Sequence, residues 1–163
     1  MPEKRTIERA RKAKRQGKSP SSQAGEFVRE EMHHIREGKH GARSTKQAIA
    51  IGLSKARRAG VKMPASKTSS RRVKKQAARD LAKGKSHAKP SPRRSRAMSK
   101  RLKREGRGAA SHAALSRQAK ASARKRGHAD LSRAARKAVR TKGPVRRREA
   151  ARKAARTRAR HAH

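Results

Sequence analysis

The sequence predicts an all-α protein, a small helical hairpin carrying long basic arms that are largely disordered or conditionally helical. Three observations predict it. Apolar residues between Ala24 and Ala56 recur at spacings of three and four, which makes helical stripes and not strands. A short glycine-rich connection, Gly38 to Arg43, divides them into two. The charge is lopsided: 52 Lys plus Arg stand against 10 Asp plus Glu in 163 residues, and 36 of the basic but only 4 of the acidic residues follow Val61. Hydrophobic residues are 31% of the chain, most of them alanine, and Phe27 is the sole aromatic. Beyond residue 64 there is too little apolar surface to offset the entropy of ordering the chain.

Residues 1–22 read as a basic N-terminal helix and a linker. The helix covers 3–16, with Glu3, Lys4, Glu8 and Lys12 spaced for i,i+4 pairing, and stops at Gly17. Lys18-Ser-Pro-Ser-Ser22 reads as the linker.

Residues 23–64 form the hairpin domain. Ala24, Phe27, Val28, Met32 and Ile35 give the first helix its stripe, and Gly38 ends it. Ser44-Thr-Lys-Gln47 is a capping box that opens a second helix over about Thr45–Ala59. Gly60 with Val61 has the pattern of a left-handed stop with its hydrophobic contact, and Pro64 closes the segment. The expected core is Phe27, Val28, Met32, Ile35, Ile49, Gly52, Leu53 and Ala56, with Gly52 letting the two backbones approach. So small a core predicts packing against a second copy, as a homo-oligomer, or against Ile7 of the first helix.

Residues 65–163 are a Lys/Arg/Ala-rich tail built from modules that open near Ser and stop at Gly. The clearest are tandem 16-residue repeats, 112–127 and 128–143: His112-AALSRQAKASARKR-Gly127 aligns without a gap on His128-ADLSRAARKAVRTK-Gly143. Leu115, Ala119 and Ala123 correspond to Leu131, Ala135 and Val139 and share one side of a helix. Arg117, Lys120 and Arg124 correspond to Arg133, Arg136 and Arg140 and lie opposite. Val73, Ala77 and Leu81 before Gly84, and Met98 and Leu102 before Gly106, are looser copies.

A net charge of +42 predicts a polyanionic partner, and nucleic acid is the commonest. The six repeat cations, with Arg93 and Arg94, are the candidate phosphate-binding residues. Ser91-Pro-Arg-Arg94 resembles the turn repeats of histone tails that lie in narrow minor grooves, and reads equally well as linker punctuation. Double-stranded DNA is favoured over RNA. Membrane is not expected, because the apolar faces are Ala and Leu with no Trp or Phe to enter the acyl boundary.

No enzyme is expected: there is no nucleophile elbow, no Gly-rich phosphate loop followed by Lys-Ser/Thr, and few acidic residues to pair. No cofactor is implied. No metal site is expected either. His33, His34 and His40 are the nearest histidine cluster, but adjacent helical residues point about 100° apart, and no Cys or well-placed carboxylate completes a tetrahedral set. The absence of cysteine fits a reducing cytoplasm, with the nucleoid as the expected location.

Residues 24–64, carried by Lys46-QAIAIGLSKARRA-Gly60 and the preceding Glu37-Gly-Lys, resemble an uncharacterised domain family of small basic bacterial and phage-associated proteins. The resemblance implies a helical hairpin in a bacterial setting and nothing about catalysis. The Ala/Lys/Arg tail is similar in composition to bacterial histone-H1-like proteins. The expected function is non-enzymatic, largely sequence-independent binding of double-stranded DNA. An RNA-binding or ribosome-associated assembly factor is the alternative, and a protein-partner module with a localising polycationic tail is a second.

Overall fold

A computed structural model describes residues 2–86 and 91–161, and among them the secondary structure is helical with no strand. The chain divides into two compact units, one up to Gln118 and one from Ala119 onward.

In the first unit, α1 (Lys4–Arg15), α2 (Pro20–Arg36) and α3 (Thr45–Arg58) pack in sequence, and α4 (Arg71–Ser86) packs on α3. The chain turns on a glycine after each of the first three helices. Gly17, Gly38 and Gly60 have φ of 68°, 78° and 90°, a region closed to most side chains. At each, the following residue's N–H reaches back to close the helix: Lys18 to Ala13 O at 3.0 Å, Lys39 to His34 O at 3.0 Å and Val61 to Ala56 O at 3.1 Å.

The segment read as a linker is the start of α2. Ser19 is its N-cap, accepting from Ser22 N, and Pro20 occupies the first helical position, where its missing N–H costs nothing. At α3 the capping box forms with one change. Gln47 N donates to Ser44 Oγ at 3.2 Å, but the Gln47 side chain reaches one residue further back and accepts from Arg43 N at 2.9 Å.

The hairpin is the expected one. A Cβ at Gly52 would lie 2.7 Å from Val28 Cα, so this crossing requires glycine. It separates two apolar clusters. One joins Ala24, Phe27 and Ala56 to Ala10 and Val61, with Ile7, Leu53 and Met63 at its edge. The other joins Met32, Ile35 and Ala48 to Ala42 and Ala110, with Val28, Ile49, Ala109 and Leu115 around it. Ile7 thus covers the hairpin from α1, as expected.

Most of the tail's described residues are helical, where the sequence predicts arms largely disordered or conditionally helical. Part of it is held by packing. On α4, Ala77, Asp80 and Gly84 are buried at helical spacing. Asp80 accepts from Arg58 Nε at 2.9 Å and from Gln76 Nε2 at 3.3 Å. Gly84 is no helix stop, since α4 continues to Ser86; a Cβ there would lie 2.5 Å from Arg57 O, so the glycine serves a close approach. Further on, α5 (Pro92–Lys103) has no buried residue, but its last turn and the chain just beyond it clasp the hairpin loop. Gly41 N donates to Leu102 O at 2.9 Å and Ala42 N to Gly106 O at 3.1 Å. A 3-10 turn, Gly108–Ala110, is then gripped from two helices, with Thr45 Oγ1 donating to Ala109 O at 2.7 Å and Arg36 Nε to Ala110 O at 2.8 Å.

The last helical stretch, α6 (His112–Arg160), is interrupted at Gly127 (φ 72°, ψ 167°) and Gly143 (φ 66°, ψ 175°), backbone conformations open almost only to glycine. The breaks fall at the ends of the two 16-residue repeats.

Candidate nucleic-acid interface

Helical geometry distributes the repeat side chains as their spacing requires, but the two copies have different fates. Leu115, in the first unit, packs beside Ala109 and Ala110 against the hairpin. Its counterpart Leu131 is 39% exposed and Val139 is 45% exposed. No described residue of α6 is buried, and most of those after Leu115 are exposed.

The six repeat cations are all exposed. Arg117 belongs to the first unit; Lys120, Arg124, Arg133, Arg136 and Arg140 belong to the second. One is already engaged: Arg133 pairs with Asp130 one turn before it. From Ala119 onward there are 17 Lys and Arg against 2 acidic residues, Asp130 and Glu149. Arg133, Arg136 and Arg140 span about 10 Å along a helix at 1.5 Å per residue. Duplex DNA carries about six phosphates over that length.

Arg93 and Arg94 are exposed on the first turn of α5. Ser91-Pro-Arg-Arg94 is therefore not a β-turn. Pro92 takes the first helical position, the conformation its fixed φ favours, and Ser95 N closes the turn on Ser91 O at 3.0 Å. Toward the end of α5 a depression is lined by Ala97, Lys100, Arg101, Arg104 and Glu105, a basic wall suited to an anion.

Four of the ten acidic residues, Glu3, Glu30, Glu31 and Glu37, are gathered elsewhere, at the hairpin's loop end. Glu30 and Glu31 are buried on α2, with 4% and 0% of their surface exposed. Glu31 Oε2 meets Lys55 Nζ at 2.5 Å, and its Oε1 lies 3.1 Å from His40 Nε2. Glu30 Oε1 accepts from Glu3 N at 2.9 Å and is 3.8 Å from His34 Nε2. Glu3 Oε1 is 2.9 Å from that same nitrogen. The hydrogen bonds from His34 and then Lys39 hold the Glu3 carboxyl below its ordinary range, while Glu37 first and Glu3 second raise Lys39.

This corrects the sequence-based view of the histidines. His33 is exposed and takes no part, as the angle between neighbours requires, but His34 and His40 do converge, and on carboxylates that spacing alone does not bring together. His40 comes from the loop, whose path is set by Gly38 and by the contacts of Gly41 with residues 102–106.

Among the described residues, no helix is long and apolar enough to cross a membrane. No curated protein and no solved structure matches the chain. Residues 4–67, which hold α1, α2 and α3, match the model of a family described as a family of unknown function (DUF6496), so the N-terminal part of the chain is similar to an uncharacterised domain family.

Proposed function

We propose that the protein is a non-enzymatic binder of double-stranded DNA, acting through phosphates with little sequence preference, in the manner of a bacterial nucleoid-associated, histone-H1-like protein. One observation carries the reading. From Ala119 onward no described residue is buried, and basic side chains outnumber acidic ones 17 to 2. A helical segment that hides nothing and repels itself is stabilised by a polyanion lying along it. The hairpin unit precedes this basic segment in the chain.

The test is binding to random-sequence duplex as a function of salt. For phosphate-dominated binding, log K falls against log salt by about 0.9 per phosphate contacted. A slope steeper than about −3, with nearly complete competition by unrelated duplex, supports the reading. A shallower slope or a strong preference for one site defeats it. Structured RNA competing more strongly than DNA at equal phosphate concentration transfers the function to RNA, and sequencing of nucleic acid crosslinked in cells decides between them.

A further inference from the structure

The acidic cluster at the loop end is out of character with the rest of the chain. Of 10 acidic residues in the protein, Glu3, Glu30 and Glu31 meet around His34, and two of the three are buried. Burying carboxylates is costly unless each oxygen finds a donor or a cation. Lys55 supplies one to Glu31, and Glu3 N supplies one to Glu30. Glu30 Oε2 remains buried without a hydrogen-bond partner. The protein therefore holds more negative charge here than its own donors satisfy.

The donor atoms are also spaced for one ion. Single ligand atoms of Glu31, His34 and His40 all lie within 4.8 Å of one another. Atoms bound at about 2.05 Å in a tetrahedron sit about 3.3 Å apart, close to the 3.1 Å between Glu31 Oε1 and His40 Nε2. The surrounding contacts orient the ligands. His40 Nδ1 is 3.0 Å from Gly41 O, an arrangement that turns Nε2 toward Glu31, and Lys55 holds the other Glu31 oxygen. Two imidazoles and a carboxylate are a donor set for zinc and not for calcium or magnesium, which favour oxygen throughout.

We propose that Glu31, His34 and His40 bind one divalent cation of the zinc type, leaving the fourth position to water. Such an ion ties His40 of the hairpin loop to Glu31 and His34 of α2. It also offsets buried negative charge in a protein of net charge +42. The site is independent of nucleic-acid binding.

The experiment uses the full, untagged chain, stripped with chelator and titrated with Co2+ and then Zn2+. One equivalent of Co2+ should give the intense visible absorption of a tetrahedral site, bleached by one equivalent of Zn2+ and unaffected by excess Mg2+. His34→Gln and His40→Gln should each weaken binding by at least tenfold, whereas His33→Gln, on the exposed side of α2, should not. A pale octahedral spectrum, absence of saturation at one equivalent, or equal weakening by His33→Gln overturns the proposal. If either ligand variant loses its helical circular dichroism, the Co2+ spectrum of the unsubstituted protein decides alone.

Discussion

Replacing Arg117, Lys120, Arg124, Arg133, Arg136 and Arg140 together by Gln removes the six repeat cations while keeping good helix formers in place. Six lost phosphate contacts would flatten the salt dependence by about 5.4 on duplex DNA at 0.9 each. The ion pair between Arg133 and Asp130 lowers that figure, since this guanidinium already has a counter-charge on its own helix. Among the described residues the other five have no acidic partner, so the expected change is about 4.5. In practical terms, raising salt from 50 to 200 mM should cost the variant about 500-fold less affinity than it costs the parent. Asp130→Asn supplies the converse: it releases Arg133 and should steepen the parent slope by up to about 0.9. Fluorescence anisotropy on a random duplex at five or six salt concentrations measures both. A six-fold Gln variant whose slope changes by less than about 1 refutes the assignment of these side chains to phosphates. An equal change on replacing six basic residues within Val145–Arg160 would show that the repeat geometry is irrelevant and that charge alone counts.

Other outcomes follow from packing and are read by thermal or urea denaturation. Gly84→Ala should destabilise by about 1–3 kcal/mol through the clash with Arg57 O, against the usual gain of about 0.5–1 kcal/mol for alanine over glycine in a helix. Gly52→Ala, facing the Val28 backbone, should do the same, and a stabilised variant at either position would contradict the close approach. Leu115→Gln should cost over 1 kcal/mol, whereas Leu131→Gln at the matching position of an exposed helix should stay within about 0.5 kcal/mol. Equal effects would mean that the two repeats pack alike. Ser44→Ala should cost about 1 kcal/mol by removing the cap on Gln47 N.

Local signals were legible in the sequence, and contacts between distant segments were not. Gly17, Gly38 and Gly60, and the repeat-ending Gly127 and Gly143, announce stops because the required φ excludes most other residues. Gly84 looks identical in the string, yet it leaves space for the Arg57 carbonyl, and only the packing of α4 on α3 distinguishes the two uses. Ser19-Pro20 was ambiguous for a different reason: the same dipeptide punctuates linkers and opens helices, and what decides is the apolar face that follows. All eight expected hairpin-core residues lie in or beside the two apolar clusters or at their crossing, since they share a local period. The contributions of Ala109, Ala110 and Leu115 come from some 60 residues away and carry no pattern that points to the hairpin. The convergence of His34, His40 and Glu31 was hidden likewise, because His40 sits on a loop with no period to place it.

The glycine interruptions of α6 bear on how such a tail can change by inheritance. In an unbroken helix, one inserted residue rotates everything after it by about 100° and scrambles every stripe downstream. At Gly127 and Gly143 the backbone leaves helical angles, so each module sets its own phase and an error upstream is not passed on. Each 16-residue copy carries five basic residues. Gene duplication can therefore lengthen or shorten this segment in packets of five cations while the hairpin, tethered by its own contacts before Gln118, is left as it was.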